Sequence, residues 1–161
     1  MDELVQKIKK RYPKLNLSPS DSFYWSPETN EVFYKADSKG KLNKWSLLHE
    51  VGHALLNHHH YDADYMLLKL EIEAWQKAKE IASNFDISID DSHIQDCLDT
   101  YRDWLYKRSI CPKCSTKCLQ QSDFNHYFCF NCHMRWRVTT SRFCRTYRMA
   151  DNSLASRQVF I

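Results

Sequence analysis

His49, Glu50 and His53 spell H-E-x-x-H, and on a helix that spacing gathers two imidazoles on one face about one turn apart. Two neutral imidazoles so placed are the geometry of two zinc ligands. Glu50, next in sequence to His49, sets a carboxylate beside the open coordination position without ligating the metal itself. The chemistry such a set serves is metal-assisted hydrolysis, with the metal polarising a carbonyl and the carboxylate moving the proton. The pattern has few fixed positions and the chain has 8 histidines, so alone it describes a helix with exposed histidines equally well.

A catalytic zinc keeps three protein ligands, and the third must arrive from another element. The stretch KLEIEAW, residues 69–75, offers Glu71 and Glu73. Glu71 falls in line with Leu67, Ala74, Ala78, Ile81, Ala82 and Phe85, the face that turns inward, whereas Glu73 shares a solvated stripe with Lys77 and Glu80. Helical phase therefore selects Glu71. An ionised carboxylate on an apolar face is costly unless a cation compensates it, and the alternatives here are a metal or a buried Lys or Arg. Ala74, one turn on, keeps the packing close, and Gly52 lets another backbone approach the motif helix.

A second constellation lies downstream. CPKC (Cys111, Cys114) and CFNC (Cys129, Cys132) are spaced as in a zinc ribbon, each pair forming a knuckle whose thiolates converge on a closed tetrahedral site. Such a site is structural, and its metal supplies the free energy that so short a segment cannot obtain from a core of its own. Cys118, Cys144 and His133 are spare, and Cys97 reads as a small core residue. The thiols point to metal rather than disulfides, because their number, 7, is odd and no secretory signal precedes them.

The elements that must position these groups follow from periodicity. Leu4, Ile8 and Tyr12 predict a first helix, and FYWSPETNEVFYK, residues 23–35, predicts an aromatic hairpin about a turn at residues 27–30. Helical spacing then recurs over residues 43–57, over the segment from Leu67 to Phe85, and over residues 91–107, after which it stops. With 2 glycines and 4 prolines there is no low-complexity linker. Residues 1–12 lack an apolar h-region and no stretch reaches the length of a membrane span, which predicts a cytoplasmic protein with no membrane partner.

LLHEVGHALLNH followed by EIEAWQKA resembles the ImmA/IrrE-type zinc metallopeptidases, whose pattern is an H-E-x-x-H helix, a short connection, and a helix with E-x-x-A at the third ligand. His49, Glu50, His53, Glu71 and Ala74 match position by position over roughly residues 45–85, while the asparagine usual after that alanine is Trp75 here. The resemblance implies an α+β, mainly helical, gluzincin-like core in which the hairpin supplies a small antiparallel sheet beside the motif helix. It also implies regulatory proteolysis of an intracellular protein, often a DNA-bound repressor.

The expected organisation is a metallopeptidase domain over residues 1–108, a small β zinc ribbon over residues 109–149, and a C-terminal tail over residues 150–161. Two Zn2+ ions are expected, one catalytic on His49, His53 and Glu71 and one structural on the four cysteines. Net charge is only +3, but no acidic residue falls between Phe124 and Ala150, where Arg135, Arg137, Arg142, Arg145 and Arg148 stand among Phe124, Tyr127, Phe128, Phe130, Trp136 and Phe143. Aromatics interleaved with arginines suit nucleic-acid docking, and equally suit packing of the ribbon. Tyr61, Tyr65, Tyr101 and His58, His59 and His60 are candidates to stabilise an oxyanion, and Asp62, Asp64 and Asp99 to orient the ligand histidines. The competing function is a non-catalytic nucleic-acid- or protein-binding module with two structural zinc sites. A zinc deaminase fits less well, because its H-x-E and P-C-x-x-C order is missing.

Overall fold

The computed structural model describes residues 1–123, 125–139 and 148–150; Phe124, Arg142, Phe143, Cys144, Arg145 and residues 151–161 of the tail lie outside them. The architecture is α+β, with four helices and two small sheets among the described residues. No helix there is long and apolar enough to cross a membrane. The chain divides into two compact units, Met1–His60 with Leu68–Leu98, and Tyr61–Leu67 with Asp99–Ile161.

The first unit opens with α1 (Asp2–Arg11), whose acidic first turn and basic last turn complement the helix dipole and which buries Leu4, Val5 and Ile8. The expected hairpin is present as β2 (Tyr24–Ser26) and β3 (Glu31–Tyr34), antiparallel, with the Tyr24 and Phe33 rings stacked at 4.5 Å. It is joined by a strand the periodicity did not signal, β1 (Asn16–Pro19), which pairs with β3 in parallel and makes the sheet mixed, in the order β1-β3-β2. Among the described residues β2 is therefore an edge strand. Leu17 and Val32 bring the inner face of the sheet into the same core as Trp45, Leu48, Val51 and Ile81 of the helices.

The motif helix is α2 (Lys41–Leu55) and the ligand helix is α3 (Asp64–Ser83). A side chain on Gly52 would begin 2.6 Å from the carbonyl oxygen of Ala74, closer than any real contact, so the two helices meet backbone to backbone at this point. The end of α2 is equally defined. Asn57 takes the left-handed conformation (φ 54°), His58 N–H donates to the His53 carbonyl at 3.0 Å and Asn57 N–H to that of Ala54 at 3.1 Å, a Schellman closure that reverses the chain.

The second unit holds the sheet β4 (Leu119–Gln120), β5 (His126–Phe128), β6 (Arg135–Val138) and β7 (Arg148–Ala150), antiparallel throughout in that order. Its core is small: Cys111, Cys118, Tyr127, Cys129, Trp136 and Val138. Tyr127 and Trp136 stack on each other at 5.6 Å and are buried, so they pack this core and present no free ring face to a base. Beneath them lies a buried polar cluster. Arg108, near the end of α4 (Asp91–Ser109), grips both carboxylate oxygens of Asp64 at 2.5 and 3.1 Å, and the Tyr127 hydroxyl donates to the same carboxylate at 2.5 Å. Burial first, then Asp64, pushes the Tyr127 phenol up, so it stays a donor. The Arg108 guanidinium also lies 4.6 Å over the Trp104 ring.

The Gly52 contact supplies a direct test. Alanine there would improve helix propensity by roughly 1 kcal/mol, but its Cβ meets a backbone oxygen that cannot move alone. Gly52→Ala is expected to lower the urea midpoint, with a net loss of about 1–3 kcal/mol. An unchanged or higher midpoint would show that the helices are not in this contact.

Candidate metal centres

Because α2 presents residues four apart on one face and α3 lies against it at Gly52, His49, His53 and Glu71 converge. His49 Nε2 stands 3.1 Å from His53 Nε2 and 3.1 Å from Glu71 Oε2, and His53 Nε2 is 3.6 Å from Glu71 Oε1. Ligand atoms at about 2.0–2.2 Å from a tetrahedral zinc stand roughly 3.3–3.6 Å from one another, so these separations fit one ion. His49 and Glu71 are buried, at 8% and 7% exposure. Burial by itself would raise the Glu71 carboxyl; the hydrogen bonds and charges of His49 and His53 outweigh it and hold its pKa far below the usual carboxylate range. Three lone-pair donors facing one point are the composition of a cation site.

What surrounds the three ligands is equally specific. Trp75 is buried and stacks its ring on His49 at 4.2 Å and 27°. It in turn meets His93 edge-on at 5.6 Å. His49 Nδ1 is buried without a hydrogen-bond partner among the described residues, so stacking rather than hydrogen bonding orients this imidazole. His53 is held differently: its Nδ1 lies 2.9 Å from Nδ1 of His58, whose Nε2 lies 3.5 Å from Glu73 Oε2. Glu50 is half-buried, and its Oε2 accepts the Trp25 backbone N–H at 2.9 Å, while the Trp25 indole donates to the His58 carbonyl at 2.7 Å.

Of the residues considered for supporting parts, His58 is thus turned onto His53, and burial, then the His53 charge, lower its pKa. His59 bonds Asn57 at the surface. Tyr61, Tyr65, Tyr101, Asp62 and Asp99 fall in the second unit, and Asp64 is engaged by Arg108 and Tyr127 rather than by a histidine. Glu73, read as solvated, is only partly so, since it faces His58 as well as Lys69.

The second cluster consists of Cys111, Cys114, Cys129 and Cys132, whose sulfurs all lie within 4.8 Å of one another. The two knuckles share one construction. Ser115 and His133, immediately after each pair, take the left-handed conformation (φ 56° and 57°), and their N–H groups return to the carbonyls of Cys111 and Cys129 at 3.0 and 2.8 Å. Sγ separations of 3.6 Å (Cys111 to Cys132) and 3.4 Å (Cys114 to Cys129) approach the roughly 3.8 Å edge of a tetrahedron with ~2.3 Å zinc–sulfur bonds. The Thr116 hydroxyl and backbone lower the Cys114 thiol to about 5. The Met134 backbone N–H favours a Cys132 thiolate, yet burial and the neighbouring sulfurs push that thiol up to about 12. Four thiolates cannot crowd together unless a cation joins them. Cys118 is not among the four: burial, then Cys129, push it up to about 12, and its Sγ donates to the Thr116 carbonyl at 3.2 Å.

Two independent clusters predict a separable metal content. Wild-type protein purified without added metal is expected to carry two ions by elemental analysis, Glu71→Ala one, and Cys111→Ser one. A single ion in wild type, unaltered by Glu71→Ala, would contradict the His2Glu centre.

No protein family, curated protein or solved structure matches the chain.

Proposed function

We infer that the chain is a zinc-dependent endopeptidase acting on an intracellular, regulatory protein, with the four-cysteine unit as a structural zinc ribbon that docks substrate or nucleic acid. The observation that carries this reading is the convergence of His49, His53 and Glu71 on one point, since three donors would leave a tetrahedral ion one open position, and Glu50 follows His49 directly on the same helix. An ion bound there supplies a polarising Lewis acid and a water of near-neutral pKa. His49, His53 and Glu71 would hold it, and Trp75 stacks on the His49 ring and keeps it in place. Glu50 accepts the proton of the attacking water on a carboxylate oxygen and returns it to the leaving amine.

Substrate presentation follows from the sheet. β2 is an edge strand among the described residues, and its Trp25 N–H is spent on Glu50. An extended peptide adding to that edge would take over this donor and release the Glu50 carboxylate toward the reacting centre. On the ribbon, Tyr127 and Trp136 are committed to the core, which leaves Phe130, Arg137 and Arg148 among the exposed described residues for docking.

One observation favours the competing reading, a non-catalytic module with two structural zinc ions. Glu50 already has a structural use, as acceptor for the Trp25 N–H, so its presence alone does not demand catalysis. Glu50→Gln separates the two, because glutamine retains an acceptor for Trp25 and removes only the base. Peptidase activity is read on a quenched-fluorescence peptide library. Two ions per chain, an unchanged urea midpoint and a loss of about 10²-fold or more in kcat/KM are expected for the variant. Retained hydrolysis by Glu50→Gln, or none by wild type, would overturn the proposal.

A further inference from the structure

His53 turns Nε2 toward His49 and Glu71, so with a metal held there its Nδ1 would carry the proton and need an acceptor. The atom 2.9 Å away is Nδ1 of His58. If that nitrogen accepts, the His58 proton sits on Nε2, which faces Glu73 Oε2 at 3.5 Å. The direction of donation is then the same at each link, from His53 to His58 to the carboxylate. His58 is 8% exposed and is not placed by chance. The left-handed turn at Asn57 and the His58 N–H to the His53 carbonyl carry the chain back over the helix end, and the Trp25 indole fixes the His58 carbonyl from the sheet side.

We propose that His58 is a positioning residue for the His49, His53 and Glu71 centre, holding His53 in the tautomer that offers Nε2 to the metal, with Glu73 orienting His58. This rests on the metal-centre reading above and goes beyond it. The two ligand histidines are supported by different physics: His49 by the face of Trp75, and His53 by a hydrogen-bonded chain whose first member is an imidazole. That chain makes the loop after α2 part of the metal site, because any movement of residues 57 and 58 withdraws the acceptor from His53.

The test measures metal affinity rather than turnover. Zn2+ is titrated, against a chelating fluorophore, into full-length protein whose four-cysteine site is already loaded. His58→Leu is expected to weaken the second site by about tenfold or more, whereas His58→Asn, whose Oδ1 falls where Nδ1 was, is expected to stay within about threefold of wild type. Equal affinity in wild type and His58→Leu would overturn the positioning part while leaving the metal centre intact. Absence of a second site in wild type would overturn both. Should His58→Leu fail to fold, Glu73→Ala decides: Glu73 is partly exposed, and about threefold weakening is expected of its loss. Unchanged affinity in that variant would overturn the proposal.

Discussion

A carbonyl oxygen 2.6 Å from where a side chain on residue 52 would begin sets the approach of α2 and α3, and the His2Glu centre depends on that approach. Two imidazoles on one helix can face a common point whatever lies nearby. A carboxylate from a second helix reaches the same point only if the backbones almost touch, because a glutamate side chain is short and its helix has a fixed radius. Gly52 on one side and the fully buried Ala74 on the other grant that distance. The aromatic packing of Trp75 on His49 lies one residue along from the same contact.

Among the described residues two carboxylates are buried, Asp64 and Glu71, and they are satisfied differently. Asp64 is completed by side chains alone, with a two-pronged arginine and a phenol on its oxygens. Glu71 faces the two imidazoles, which also face each other at 3.1 Å and cannot both donate into the space they share without repulsion. A cation at the centre of the three relieves this, as it would relieve the four sulfurs of the second unit. The small sheet there, whose core is largely cysteine with one tyrosine, one tryptophan and one valine, has little else to hold it.

How much of this was legible in the sequence depended on whether the signal was local. The α-helical period placed His49, His53 and Glu71 together, because phase along a helix is short-range information. The C-x-x-C spacing did the same for the cysteines, although the left-handed Ser115 and His133 that close the knuckles carry no obvious residue signature. β1 was missed because NLSP is short, ends in proline, and pairs in parallel with a strand that is not its neighbour in sequence. Asp64 was read as a candidate partner for the histidines; its true partners stand 44 and 63 residues away, a distance periodicity cannot bridge. His58 lay beyond the helix pattern, yet Asn57 after an apolar helix end is a recognisable stop signal, and a Schellman turn there returns the next residue toward the last turn. The division into units was hidden for a related reason: α3 and α4 each run across it, so no change of periodicity marks it.

The central claim is that one metal ion sits among His49, His53 and Glu71. A crystal of the protein, grown without added metal and measured on both sides of the zinc absorption edge, tests it most directly. Two anomalous peaks are expected, one enclosed by the four cysteine sulfurs and one bonded to His49 Nε2, His53 Nε2 and Glu71 at about 2.0–2.2 Å with a fourth position left open. A single peak at the cysteines, with His49 and His53 hydrogen-bonded to Glu71 and no density between them, would contradict the account.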